Sequence, residues 1–256
     1  MKSFLSTIVF LAVASSALAC SGGAQEEAGN SEGAAYVNPA PSASASAASA
    51  DVKAFLEKKP LKGTVGPVTV DATTVAVVTP SDLKIGEKIS NQIPHKLEDL
   101  SVYTDSGKVS GEPTPGLNDS NVLSLTYSID IDGIAHPQLL TFNFDLKTGA
   151  RLLLSDVLTP EGVKAVVSEC EAYMKADPER QGLETYCASS AKPGEGYGGA
   201  PVPVDFTVTA KGITFMPHDM PGAAFVFFVE GVEVPWAKLK GQISNASVKA
   251  LAEKAR

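Results

Sequence analysis

The chain has 256 residues, with 21 basic against 29 acidic side chains and a formal net charge of −8. At 44% hydrophobic residues it holds enough apolar side chain for a folded core, and its acidic balance argues against nucleic acid or another anionic polymer as partner. The same balance is compatible with a basic protein partner and, equally, with plain solubility.

The first segment reads as an export signal. Met1-Lys2 supplies one positive charge, an apolar run extends from Phe4 to Ala14, and Ser15, Ser16, Ala17, Leu18 and Ala19 are small or cleavable in character. The run falls short of the roughly 20 apolar residues that span a bilayer. Two cleavage readings compete. Ala17-Leu18-Ala19 fits an ordinary secretory site, whereas Ala17-Leu18-Ala19-Cys20 resembles a lipobox, with Ala17 in place of the usual large apolar residue. The lipobox reading makes Cys20 the fatty-acylated N-terminus, held on the cell membrane or the outer membrane. Ser21 after it favours the outer membrane in a cell that has one. Removing residues 1–19 removes only Lys2, leaving 20 basic and 29 acidic residues, a net charge of −9.

Three cysteines are present, at 20, 170 and 187, and an odd count in an exported chain asks what the unpaired one does. Lipidation of Cys20 leaves Cys170 and Cys187 to pair in an oxidising compartment, worth about 3 kcal/mol for a loop of that length. Two free buried thiols are the alternative.

Residues 21–50 are rich in Ala, Ser, Gly and Pro and read as a tether, since such a segment buries too little apolar surface to offset its ordering entropy. As a flexible coil it reaches about 30 Å. Beyond it, the expected organisation is a small α+β subdomain over 51–121 and an α+β domain over 122–256. Asp51–Lys59 is expected as a short helix. Val65–Val70 and Thr73–Thr79 are expected as strands around an Asp71-Ala72 turn. Pro80-Ser81-Asp82 then offers a helix start. Leu83, Ile85, Ile89, Ile93, Leu97 and Leu100 recur at helical spacing, and Pro94 breaks or kinks that helix. His95, beside the break, is expected in solvent.

The Gly, Pro, Ser and Asp content of 104–121 predicts a loop. Val122–Ile131 and Leu139–Leu146 alternate as strands, with Leu123, Leu125, Tyr127, Ile129 and Ile131 on one face of the first and Leu140, Phe142, Phe144 and Leu146 on one face of the second. Asp145–Gly149 closes with a glycine turn, and Arg151–Leu154 resumes the chain's extended path. Thr159-Pro160-Glu161 predicts a helix start, with a capping Thr, Pro at the first position and an acid in the first turn. Val163, Val166, Val167, Cys170 and Tyr173 then share a face. A loop is expected over 190–202, a hairpin of Val204–Ala210 with Ile213–Met216, a buried strand over Ala223–Val234, and a short polar helix over Asn245–Arg256. The fold class is α+β, an antiparallel sheet with packed helices.

No Gly-x-Ser-x-Gly, phosphate-binding Gly loop or His-Glu-x-x-His is present, so no catalytic residue is assigned and no cofactor or metal is expected. His136, in a loop beside Gly133 and Pro137, is the leading ligand-contact candidate. A turn-fixing histidine is the alternative. Asp130 and Asp132 face one side of a strand, either for acid/base work or as a solvated face. Asp132, His218 and Asp219 complete the candidate ligand set. His136 with His218 and Asp219 would offer zinc two nitrogens and a carboxylate, although nothing in the spacing requires it.

Tyr127-Ser128-Ile129-Asp130-Ile131-Asp132-Gly133-Ile134-Ala135-His136-Pro137, then Phe142–Gly149 and Leu154-Ser155-Asp156-Val157-Leu158, form an ordered run of motifs. Ile213-Thr214-Phe215 and Val232–Leu239 close it. This run, over roughly 122–243, resembles the RsiV/PdaC-type extracytoplasmic domain family (DUF3298-like), found in a lysozyme-sensing anti-sigma factor and beside the catalytic domain of a peptidoglycan deacetylase. Asp132 replaces a family glycine, Ile134 is an extra apolar residue, Trp236 replaces a tyrosine, and Pro217–Gly222 stands where the family is tyrosine-rich. The resemblance implies a lipid-anchored envelope module that binds a lysozyme-like protein or cell-wall glycan, without bringing the deacetylase's catalytic domain. The competing expectation is a cell-wall-active hydrolase or deacetylase using His136 with nearby carboxylates.

Overall fold

A computed structural model describes residues 51–80, 82–195, 201–202, 204–217 and 231–255. The first element is a strand, β1 (Phe55–Val65), where a helix was expected. Phe55–Lys59 find ladder partners in Thr74–Val78, and that pairing makes the stretch a strand; Pro60, just past the expected helix, continues it. β1 instead begins a six-stranded sheet, and its outer edge tolerates a proline. It pairs antiparallel with β2 (Val68–Val78) from Phe55↔Val78 to Val65↔Val68. The turn is Gly66-Pro67, with Gly66 at φ +55°. Asp71-Ala72, expected as the turn, lies within β2, where Asp71 accepts an ion pair from Lys62 on β1 at 2.8 Å.

After β2 the chain crosses through α1 (Leu83–Ser90) and α2 (Leu97–Ser101). Asp82 caps α1 by accepting the Lys84 N–H at 2.8 Å, and Pro94 falls between the two helices, as the spacing predicted. The crossover delivers β3 (Gly107–Asp119), which pairs parallel with β2 from Val68↔Gly107 to Ala72↔Gly111. This segment was expected as a loop. Its glycines and prolines hide a strand of thirteen residues that pairs antiparallel with β4 (Val122–Ile131). Position 121/122 therefore lies at the β3–β4 turn, made by Ser120 and Asn121 at φ 52° and 65°, the geometry of a two-residue hairpin. β5 (Gln138–Asp145) and the short β6 (Ala150–Arg151) complete the order β1-β2-β3-β4-β5-β6, antiparallel except at β2–β3. α1 also reaches the β5–β6 turn, where Lys88 Nζ donates to the Thr148 carbonyl at 3.0 Å. One helix thus touches both arms of the curled sheet.

One face of the sheet buries Val68, Val70, Leu125, Tyr127, Ile129 and Phe144 against Ile89, Ile93 and Leu100. A second core lies on the other face. There α3 (Leu154–Val157) leads to α4 (Pro160–Lys175), capped as expected by Thr159 Oγ1 accepting the Gly162 N–H at 3.2 Å. α4 buries Val166, Cys170 and Met174. Tyr173, expected on the apolar face, is instead exposed, with the Arg180 guanidinium 3.9 Å from its ring centre. Cys170 is bonded to Cys187 of α5 (Thr185–Ser190), with Cα atoms 5.9 Å apart. β7 (Gly194–Glu195) and β8 (Pro201–Val202) form a small ladder within the segment expected as a loop.

β9 (Phe206–Val208), β10 (Gly212–Phe215) and β11 (Val232–Pro235) make the second sheet. The expected hairpin is β9–β10. Of the expected strand over 223–234, residues 223–230 lie outside the described residues. α6 (Ala246–Lys254), capped by Asn245, buries Val248, Leu251 and Ala252, so the terminal helix is amphipathic rather than polar. Among the described residues, no strand pairs with the outer edge of β9. Side chains of the first sheet take that place. The Phe206 N–H donates to Thr141 Oγ1 at 3.2 Å, the Phe206 carbonyl accepts from Asn143 Nδ2 at 2.8 Å, and the Val208 N–H is shared by Asn143 Oδ1 and Ser124 Oγ. A buried polar seam therefore joins the two sheets, with each group satisfied.

Candidate functional site

The β4–β5 loop carries the histidine singled out in the sequence. Gly133, at φ +81°, and a bond from the Ile134 N–H to the Ile131 carbonyl at 3.0 Å shape it. The Asp132 N–H donates to the Lys108 carbonyl at 3.0 Å, fixing the loop to the start of β3. Asp132 and His136 are both exposed, as is Asp130 opposite Ser110. Ile134, the extra apolar residue, is 58% exposed. His218, Asp219 and Cys20 lie outside the described residues. Among the described residues, no three His, Cys, Asp or Glu side chains group to hold a metal. His95 differs from expectation. It is partly buried in the α1–α2 joint, its Nδ1 bonds the Ile93 carbonyl at 2.9 Å, and its backbone N–H donates to Asp99 Oδ2 at 2.9 Å. It is a helix-start fixture rather than a solvated side chain.

The concavity with the clearest physical cause lies elsewhere, where β2 leaves β3. The parallel pairing ends at Ala72↔Gly111, and Pro113 and Pro115 follow on β3, opposite Tyr127 and Leu125 of β4. A proline has no N–H, so in an antiparallel pair it sits only where the backbone groups point away from that neighbour. The edge of β3 facing β2 thus loses two donors in succession, and β2 turns to other partners. The Thr73 carbonyl accepts from Tyr127 Oη at 2.8 Å, Thr74 Oγ1 donates to the Pro94 carbonyl at 2.6 Å, and the Val77 N–H donates to Ser90 Oγ at 2.8 Å. Burial along β2 changes phase at the same place, from Val68, Val70 and Ala72 to Val75 and Val77. Tyr127 seats in the notch because Gly111 leaves room. A Cβ there would stand 2.5 Å from Tyr127 Cε1.

The result is an apolar groove of about 260 Å³, lined by Leu56, Lys58, Val75, Pro113, Pro115 and Leu125. Ligand pockets usually hold about 300–1,000 Å³, so this one suits a small apolar group rather than a disaccharide. Lys58 is its one charged lining residue, and Lys58 Nζ lies 2.5 Å from Glu112 Oε1. Both side chains are more than half exposed, and such pairs contribute about 0–1 kcal/mol. Sequence reading missed the groove because it took β3 for a loop. Prolines two apart beside alternating buried residues are the signal that marks it.

A second surface is the elbow from α4 to α5. Residues 169–184 carry Glu169, Glu171, Asp177, Glu179 and Glu184 against Lys175 and Arg180. The disulfide fixes both arms. Asp177 is held below the usual carboxylate range by the Glu179 N–H and then by Arg180, whose Nη2 lies 2.9 Å from Asp177 Oδ2. On β2, Lys62 and then Lys108 lower the Asp71 carboxyl in the same sense. Burial dominates at the tyrosines, raising Tyr103 and pushing Tyr127 up to about 12. These shifts belong to structural bonds rather than to a poised acid and base.

The described residues thus define an α+β protein with a curled six-stranded sheet, a three-stranded antiparallel sheet and packed helices. No family model matches the chain, and no curated protein does. Among solved structures it is similar to a DUF3298 family member from Bacteroides fragilis NCTC 9343, at 16% identity and a TM-score of 0.49, over 79% of this chain and 97% of that one. It is also similar to a DUF3298 family protein from Pseudomonas aeruginosa PAO1, at 15% identity and a TM-score of 0.43, over 77% of this chain and 95% of that one.

Proposed function

We propose that this chain is an exported, lipid-anchored envelope binding module that docks a basic, lysozyme-like protein through its acidic elbow. The observation that carries the reading is the elbow itself: five carboxylates within sixteen residues, Glu169 and Glu171 on α4 and Asp177, Glu179 and Glu184 on the connection to α5, closed by a buried disulfide, with Lys238 paired to Glu169. A buried disulfide suits an oxidising compartment outside the cytoplasm. A fixed acidic surface steers a cationic partner and makes its capture sensitive to salt. The tether over residues 21–50 would let the folded part reach a partner away from the membrane. A cell-wall glycan, the other candidate ligand, has less support, because the groove described above is apolar and small.

The test is capture of lysozyme by the purified protein across a salt series. Binding is expected to weaken as salt rises. Replacing Glu171, Glu179 and Glu184 with lysine is expected to weaken it further and to flatten the salt dependence. Absence of capture by the folded protein at low salt, or capture indifferent to both salt and the three replacements, would sink the reading.

A further inference from the structure

The groove between β2 and β3 is distant in kind from a charged docking surface, and what it can hold does not depend on the elbow. We propose that it binds a medium-chain aliphatic carboxylate. The alkyl chain lies against Leu56, Val75, Pro113, Pro115 and Leu125, and the carboxylate sits on the Lys58 ammonium. Three observations support this choice. The lining is aliphatic apart from Lys58, so a hydroxyl-rich ligand would leave its polar groups without partners there. The volume of about 260 Å³ is enough for one unbranched chain of medium length. A carboxylate already occupies the ammonium, since Glu112 Oε1 lies 2.5 Å from Lys58 Nζ. That exposed pair is easily exchanged, so a ligand carboxylate replaces Glu112 like for like. A single ammonium beside a displaced glutamate favours a monoanion over a phosphate dianion.

The groove is also held open by covalent chemistry rather than by side-chain choice. Pro113 and Pro115 cannot donate to β2 in any rotamer. A site of this kind is preformed and loses little freedom when filled.

The experiment is a calorimetric titration of the purified protein with straight-chain carboxylates from butanoate to dodecanoate and with alcohols of matched length. Affinity is expected to rise about threefold to fourfold per methylene and to level off once the groove is full. Carboxylates should outbind alcohols of equal length. Lys58→Met, which keeps the apolar stem, should erase that preference and keep the length dependence. Glu112→Gln removes the competing carboxylate and should tighten carboxylate binding only. Leu56→Trp should weaken every ligand. If Leu56→Trp fails to fold, the two exposed positions decide alone.

No binding by the folded protein overturns the proposal, as do equal affinities for carboxylate and alcohol. Affinity that climbs without levelling and ignores Leu56→Trp would mark detergent-like adsorption and overturns it too. Capture of a protein partner that Leu56→Trp abolishes, without carboxylate binding, reassigns the groove to a partner's side chain. Because the elbow variants are separate, lysozyme capture can fail while carboxylate binding stands, and the reverse.

Discussion

Tyr127 shows how much one side chain can settle. Its ring fills the space that Gly111 leaves empty, and its hydroxyl satisfies Thr73 where the β2–β3 ladder stops. Gly111→Ala would bring a methyl within 2.5 Å of that ring. Overpacking of this sort destabilises by about 1–3 kcal/mol, readable as a lower urea midpoint with an unchanged slope. Tyr127 also ties stability to pH. Its folded-state pKa of about 12 lies above the unfolded value of 10.0. The raised value means the neutral phenol is favoured in the fold. Its contribution is therefore complete below pH 10 and is lost as pH rises toward 12. Unfolding free energies of wild type and Tyr127→Phe should differ in slope across that window and run parallel below it. The sequence marks Tyr127 as a core-facing strand residue. Its hydroxyl's partner was not legible, because that partner is a carbonyl fifty-four positions away on a strand whose divergence depends on two prolines.

Among elements, legibility followed the strength of the local pattern. β4 and β5 alternate cleanly, and α1, α4 and α6 announce themselves through Asp82, Thr159 and Asn245, each of which caps its helix by a side-chain bond. β1 and β3 were hidden. In β1, Lys58, Lys59, Pro60 and Lys62 look like a charged surface segment, and as an edge strand it uses that composition to discourage pairing with other chains. In β3, the glycines and prolines that suggest a loop are positions of close approach and of lost pairing. The seam that joins β9 to Ser124, Thr141 and Asn143 was not legible either, since nothing local indicates that a strand edge will bond side chains. The α4–α5 elbow depends on its covalent bond. With a sequence separation of 17, replacing both Cys170 and Cys187 by serine should cost about 3 kcal/mol, measured as a lower unfolding free energy. It should also expose the 176–190 arm to protease before the rest of the domain, because that arm buries little besides Cys187 and Ser190.

For the whole molecule, the two cores share one sheet. Val122 belongs to the core beneath α4, and its neighbour Leu123 to the core beneath α1. Alternation along one strand thus serves two hydrophobic layers, which is why β4 reads as nearly continuous burial from Val122 to Leu125. The anchoring proposed for Cys20 belongs to this scale. Cys20→Ser is expected to move the exported protein from the membrane fraction to the soluble one without changing its unfolding free energy. Retention in the membrane fraction would sink the lipid reading and leave the elbow and groove tests untouched.

Both ends of the folded part meet at one corner. The Val52 N–H donates to Asn121 Oδ1 at 2.8 Å, Ala54 exchanges two bonds with the Asn118 amide, and Lys254 Nζ reaches both Asp51 and Ser120 Oγ. A tug delivered through the residues before Asp51 would meet these clasps before it reached the first ladder bond of β1. The last helix joins the clasp through the exposed Lys254–Asp51 pair, a contact worth about 0–1 kcal/mol. Fraying of the residues before β1 is thereby opposed chiefly by Asn118 and Asn121 of the β3–β4 turn, which would take the first mechanical load.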